Sequence, residues 1–288
     1  MRKFKSFAKI NLGLEVVGQR IDGYHELRTL YQAVECYDLL TFNHSRGSGI
    51  DLKGTDIRIP WDERNLVYRA AEALKTRFGI SGGMEIHVQK NIQAGQGLGG
   101  GSSNAAVTLY ALSKLWDLDV EKKELVKIGK TLGADIPYFL EGGLCLGSGR
   151  GDDLAPLDDL EPLPCLLYLP ELSLLTSSVY AQLPPLTSEG KESKIIKFLN
   201  SFEFRTLENS LEETVFGIHP QLQDIKCLFY ELGAELSLVS GSGAAVFGLF
   251  RDKEKAREIY ERLKKKYPLV LAETLSRARY WDSLEVGV

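Results

Sequence analysis

Between residues 8 and 16 the apolar side chains Ala8, Ile10, Leu12, Leu14 and Val16 alternate with Lys9, Asn11, Gly13 and Glu15. A period of two predicts a half-buried strand with Lys9 and Asn11 on its polar face. The turn-rich stretch Gln19-Arg20-Ile21-Asp22-Gly23 separates it from a second apolar segment over residues 34–42. Leu66, Val67, Ala70, Ala71, Leu74 and Phe78 then recur at helical spacing up to a stop at Gly79. Met84, Ile86 and Val88 alternate with Glu85, His87 and Gln89, a strand signature. A few residues later comes Gly95-Gln96-Gly97-Leu98-Gly99-Gly100-Gly101-Ser102-Ser103, and after it Ala105, Ala106, Leu109, Leu112 and Leu115 at helical intervals. The local order is strand, glycine loop, helix.

A further helix is predicted over residues 122–132, with Leu125, Ile128 and Leu132 on one side and Gly133 as its stop. Residues 147–164 are rich in Gly, Asp and Pro, which marks a loop and a domain border near Ala155, giving domains 1–155 and 156–288. Past it, Ser240-Gly241-Ser242-Gly243 leads into a strand over residues 244–250 and a helix carrying Ala256, Ile259, Tyr260, Leu263 and Tyr267. Strands and helices mix without a regular βαβ repeat, so the expected class is α+β.

Composition narrows the function. A chain of 288 residues, 44% hydrophobic and 26% charged, is long enough for two cores. A net charge of −4 and a pI near 5.7 offer no basic footprint, which argues against nucleic acid or an anionic membrane as partner. Cys36, Cys145, Cys165 and Cys227 lack the short spacing of a metal or redox motif and read as reduced, buried thiols. The amino terminus has no apolar signal core and no apolar stretch approaches the roughly 20 residues of a bilayer span. The expected location is the cytoplasm.

Five glycines in residues 95–101 free the backbone for positive φ and bring its N–H groups close to a ligand. Ahead of a helix this builds an anion site, with the Ser102 and Ser103 hydroxyls at its mouth to cap the helix, bond a phosphate or approach a nucleotide-borne metal. A flexible linker is the plain competitor, but linkers rarely sit between a clean strand and a clean helix. The spacing of Gly95, Gly97 and Gly100 also matches a dinucleotide fingerprint, yet the parallel strand that should follow the helix is replaced by the charged run Glu121-Lys122-Lys123-Glu124. No lysine lies between Lys90 and Lys114 to complete a Walker A loop, and the protein-kinase motifs are absent.

Leu98-Gly99-Gly100-Gly101-Ser102-Ser103-Asn104-Ala105-Ala106 resembles the second motif of the galactokinase, homoserine kinase, mevalonate kinase and phosphomevalonate kinase (GHMP) superfamily. Ala8-Lys9-Ile10-Asn11-Leu12 looks like its first motif and Ser240-Gly241-Ser242-Gly243 its third. Asp22-Gly23-Tyr24-His25-Glu26-Leu27 and Gly133-Ala134-Asp135-Ile136-Pro137-Tyr138-Phe139 are similar to the 4-diphosphocytidyl-2-C-methyl-D-erythritol kinases. Such a resemblance implies ATP-dependent phosphorylation of that substrate's 2-hydroxyl, with magnesium. It implies a ribosomal-protein-S5-like amino-terminal domain and a ferredoxin-like carboxy-terminal domain, with both substrates between them. Gln93 and Gln96 stand where the family has Pro and Ala, and Ala244 and Ala245 where relatives often carry a hydroxyl or thiol.

The resemblance also implies roles. Lys9 and Asp135 would be catalytic. An ordinary aspartate, with a pKa of about 3.9, is too weak a base to deprotonate an alcohol beforehand, but it can orient the hydroxyl and accept its proton late. Lys9 would meet the charge on the transferred phosphoryl group. Residues Gln93, Ala94 and 95–103 would hold ATP, with Asn65 against adenine and backbone N–H groups at Gly241 and Gly243 from the third motif. Asn11, Tyr24, His25, Tyr31 and Tyr180 would hold the substrate, because a pyrimidine needs an aromatic face and groups matched to its edge. The plainer readings are a turn-capping Asp135, a solvated Lys9, packing roles for Tyr31 and Tyr180, and a simple helix start at Asn65. The competing functions are another superfamily kinase of homoserine or mevalonate type, or an S5-like RNA-binding protein; Tyr24 with His25 argues against the first and the acidic balance against the second.

Overall fold

The computed structural model describes residues 1–183 and 192–287. Strand β1 (Arg2–Gln19) turns at Gly23, whose φ of 84° is the left-handed value such a turn needs, and pairs antiparallel with β2 (His25–Ser45). Register shifts in this ladder fall between Phe7 and Ala8 and again between Asn11 and Gly13. They bracket the segment carrying Lys9 and Asn11, and such irregularities locally re-aim side chains. Strand β3 (Ile50–Gly54), helix α1 (Leu66–Phe78) and strand β4 (Gly83–Gln89) form one crossover unit, with β3 and β4 parallel. Helix α1 is capped by the Asn65 side chain and ends at Gly79 with φ 65°.

Helices α2 (Gly100–Leu115), α3 (Lys122–Leu132) and α4 (Ile136–Phe139) follow, and α1 and α2 cover one face of the sheet. Residues 147–164 depart from the loop expected of their composition, because β5 (Leu144–Gly149) and β6 (Asp153–Pro156) form a hairpin that extends the same sheet from β2. The glycines Gly149 and Gly151 make its turn, with φ of 67° and 90°, and this is what the composition registered. Ala155 lies in β6, the last strand of the first sheet before the chain enters the second.

The second sheet contains β7 (Pro164–Tyr168), then β8 (Leu236–Val239), β9 (Val246–Leu249) and β10 (Leu269–Glu273), in the order β10-β7-β9-β8 and antiparallel throughout. Around it lie α5 (Thr176–Tyr180), α6 (Lys194–Ser201), α7 (Glu212–Ile218), α8 (Gln221–Glu231) and α9 (Lys253–Leu263). The chain then returns to the first sheet. Helix α10 (Arg277–Asp282) buries Tyr280 against α4, and β11 (Glu285–Val286) pairs with β1.

Ala8, Ile10 and Leu12 of β1 share a buried cluster with Leu167 of β7 and Phe247 of β9. The halves thus meet through a hydrophobic core, which holds the cleft between them in one geometry. This packing also corrects the half-buried reading of β1. Lys9 is 4% exposed and Asn11 2%, because the glycine loop, the third motif and Phe139 of α4 close over the polar face. Cys36, Cys145 and Cys165 are buried as expected, while Cys227 is exposed on α8.

Candidate active site

The glycine loop joins β4 to α2 with Gly95, Gly97 and Gly99 at φ of 76°, 73° and 70°, a conformation closed to most side chains. Gly99 is the N-cap of α2 and no side chain caps the helix, so the first N–H groups of this 16-residue helix stay open to an anion. The loop is bonded along its length. Leu174 N and Ala244 N donate to Gly95 O, Ala245 N to Gln96 O, Ser240 Oγ to Gly97 O, and Lys9 N to Leu98 O. A Cβ on Gly97 would lie 1.9 Å from Ser240 O, and one on Gly243 1.9 Å from Gly97 N, so the second and third motifs touch backbone to backbone.

Ser102 lines the cleft, but Ser103 corrects the expectation of a hydroxyl at the mouth. It is wholly buried, accepting a hydrogen bond from Ser6 Oγ at 2.7 Å and donating to Phe7 O at 2.7 Å, which ties α2 to β1. One helical step separates the two serines, and that rotation decides which meets solvent. Beside Ser103 lies a polar network the motifs did not reveal. Lys90 Nζ bonds Asp38 Oδ2 and, at 3.0 Å, Asn104 Oδ1, while Asp38 Oδ1 accepts from Asn91 N at 2.7 Å and Ile92 N at 2.8 Å. Its sign in the sequence is a carboxylate, Asp38, inside an apolar run. It fixes the direction in which the chain leaves β4 for the loop.

At the centre of the cleft, Lys9 Nζ donates to Asn11 Oδ1 at 2.5 Å and stands 4.0 Å from Asp135 Oδ2. Asn11 Nδ2 donates to Thr29 Oγ1 at 2.7 Å, and Thr29 donates to Gly13 O at 2.9 Å, so the amide is oriented from below. Burial lowers the Lys9 pKa, and the Asp135 carboxylate opposes that shift. Asp135 precedes α4 but makes no capping bond, which removes the turn-capping reading. Its side chain is 33% exposed and accepts from Tyr31 OH at 3.2 Å. Tyr31 is buried and stacks on Tyr138 with ring centroids 4.8 Å apart; burial and Asp135 push its phenol pKa well up, so it stays a donor. Tyr31 thus bonds the carboxylate and is also one of the residues lining the cleft.

Tyr24, His25 and Tyr180 all line the cleft. His25 lies 4.9 Å from Tyr180 between ring centroids, and Tyr24 is 56% exposed with the Arg150 guanidinium 5.3 Å from its ring centre. Arg150 comes from the β5–β6 turn and no motif marked it. Asn65 also lines the cleft, with Oδ1 accepting from Val67 N and Nδ2 donating to Pro60 O. Its helix-start role is therefore filled, with one amide hydrogen left over. Gln93, Ala94, Gly241 and Gly243 also line the cleft, whose volume is about 1280 Å³. A Cβ on Gly241 would sit 3.3 Å from Lys9 Nζ. Among the described residues, no three His, Cys, Asp or Glu side chains gather as a metal site.

Comparison with known proteins places this geometry. The sequence model of the GHMP kinases N terminal domain matches residues 65–143, and that of the GHMP kinases C terminal domain residues 191–269. A 4-diphosphocytidyl-2-C-methyl-D-erythritol kinase of Syntrophus aciditrophicus is 43% identical, covering 90% of this chain and 93% of its own. One from Clostridioides difficile is 38% identical over 93% of each. A crystal structure of a 4-(cytidine 5'-diphospho)-2C-methyl-D-erythritol kinase superposes with a TM-score of 0.82 at 35% identity, covering 94% of this chain and 98% of its own. A homoserine kinase from Cytophaga hutchinsonii superposes at 0.74 with 22% identity, covering 95% of each chain, a likeness of fold alone.

Proposed function

The chain belongs to the 4-diphosphocytidyl-2-C-methyl-D-erythritol kinases of the GHMP superfamily, and from that membership we propose how its cleft divides the work between residues. The protein is an ATP-dependent small-molecule kinase that phosphorylates CDP-methylerythritol in the methylerythritol phosphate route to isoprenoid precursors. The observation that carries the division is the buried Lys9 beside Asp135, in one cleft with the uncapped glycine-loop helix and with the aromatic group Tyr24, His25 and Tyr180.

In this reading the ATP phosphates sit on the N–H groups of residues 97–101 and the adenine reaches toward Asn65. The cytidine ring lies at Tyr24, His25 and Tyr180, with Arg150 near its phosphates. This orients the erythritol 2-hydroxyl between Asp135 and the γ-phosphate. An alcohol oxygen–phosphorus bond forms as the β,γ-bridging bond breaks, giving the phosphate ester and ADP. The hydroxyl proton passes late to the Asp135 carboxylate, whose partial exposure lets it go on to solvent. Lys9 and the loop N–H groups meet the negative charge on the equatorial oxygens. Asn11 and Tyr31 hold Lys9 and Asp135 in place. Magnesium, which spreads the phosphate charge, would arrive with ATP and keep several waters; Asp135 and Ser102, both in the cleft lining, would offer it oxygen atoms. Residues 1–155 supply the nucleotide loop and reacting groups, and residues 156–288 the Tyr180 wall and third motif. The expected setting is the cytoplasm, where ATP is held.

The decisive assay is ADP release from ATP and magnesium. Release should require CDP-methylerythritol, and comparable turnover with mevalonate or homoserine would overturn the substrate assignment. Tyr180→Ala is expected to raise KM for CDP-methylerythritol by about 5- to 150-fold, the equivalent of about 1–3 kcal/mol of base stacking. KM for ATP should stay near the parent value. An unchanged KM for CDP-methylerythritol would move the base elsewhere.

A further inference from the structure

Gln96 is part of the phosphate loop, yet its side chain bonds to the other half of the protein. It is buried, and its Nε2 donates to Pro170 O at 2.7 Å and Leu172 O at 2.8 Å. Those carbonyls lie between β7 and α5, in the segment that leads to Tyr180. One further bond joins loop and segment, Leu174 N donating to Gly95 O at 3.3 Å, and Ser242 Oγ of the third motif donates to Thr176 Oγ1 at 2.9 Å. A Cβ on Gly95 would lie 2.1 Å from Ser173 Oγ, so loop and segment are in contact.

Among the described residues, residues 171–180 combine these bonds with a small apolar anchor, Leu172 and Tyr180 packing against the core cluster that holds Leu174 and Val179. Leu174 and Val179 are their buried side chains, whereas Leu175 is 68% exposed. The segment's remaining residues are exposed, so the hydrogen bonds at its start help to set where the apolar anchor and Tyr180 sit, and losing them loosens the segment. One end of it rests on the ATP loop and the other presents Tyr180 to the cleft.

We propose that Gln96 is a positioning residue that couples the two substrate sites: phosphates that order the loop hold the segment after β7 through Gln96, and so set Tyr180 for the cytidine ring. The inference rests on the assignment of cleft residues to the two substrates given above. Coupling between sites is reciprocal, so CDP-methylerythritol tightens ATP by the same factor.

The test uses the full chain. Calorimetric titration of CDP-methylerythritol, without and with a non-hydrolysable ATP analogue, should show the analogue tightening substrate by about fivefold or more in the parent protein. Gln96→Met keeps the side-chain length but removes both donors. Its coupling factor should fall below about twofold, whatever change the substitution makes to either ligand's own affinity. A structural role alone would weaken both ligands and leave their ratio unchanged, and that result overturns the proposal. Amide exchange supplies an arm that needs no variant: the analogue should slow exchange over residues 171–180 of the parent, and unslowed exchange overturns the proposal even where Gln96→Met does not fold. Parent protein that turns over CDP-methylerythritol but shows no coupling refutes this inference and leaves the site assignment standing.

Discussion

Asp135→Asn is expected to lower kcat by about 10²- to 10⁴-fold, the range for losing a positioned proton acceptor. Asparagine has nearly the shape of aspartate and its carbonyl can still accept from Tyr31 OH, which bonds Asp135 Oδ1 at 3.2 Å. The geometry should therefore survive. What disappears is the proposed acceptor of the hydroxyl proton, together with the negative charge 4.0 Å from Lys9 Nζ. KM for ATP should change by no more than about threefold, because an interaction made in the transition state appears in kcat rather than in ground-state binding. Steady-state rates with CDP-methylerythritol at saturating ATP decide the matter. A kcat equal to the parent's would take Asp135 out of the proton path.

Lys9→Met should separate activity from stability. The rate is expected to fall about 10²- to 10³-fold, as it does when one preorganised donor to a developing oxyanion is removed. The melting temperature should shift little, because relief from a buried ammonium is offset by the buried Asn11 Oδ1 losing its donor. Methionine fills much of the same space, and the site no longer carries a buried ammonium whose lowered pKa reports the cost of its desolvation. Lysine must be protonated to oppose phosphoryl charge, and burial moves its deprotonation below the ordinary lysine value. As pH rises through that lowered pKa the positive charge is lost, so the parent's kcat should decline on an alkaline limb that the residual activity of Lys9→Met lacks. Full activity in the methionine variant, or a limb shared by both proteins, would rule out the electrostatic role.

Several features of the site are written in short stretches of chain. Positive φ at Gly95, Gly97 and Gly99 is a demand on single residues, so the glycine pattern announces the loop before any contact is known. Alternation puts Lys9 and Asn11 on one face of β1 whatever covers that face. The Asn65 cap and the Gly79 terminus of α1 are equally local, since each bonds within a turn of its own helix.

Tertiary structure decided what lies across each face. Burial of Lys9 depends on Gly99 and Phe139 and on the third motif, and the inward turn of Ser103 depends on Ser6 and Phe7 nearly a hundred residues away. The Asp38–Lys90 pair, the Gln96 bonds to residues 170 and 172, Arg150 over Tyr24 and the return of β11 to β1 likewise join distant segments. Periodicity and glycine conformation are constraints between neighbours, so sequence alone determined the loop, the reacting strand and the order of elements around them. A side chain's burial and hydrogen-bond partners depend on which segments pack together, so only the folded chain decided which hydroxyl faces the cleft, what bonds the Asp135 carboxylate, and how the glycine loop is joined to the segment after β7.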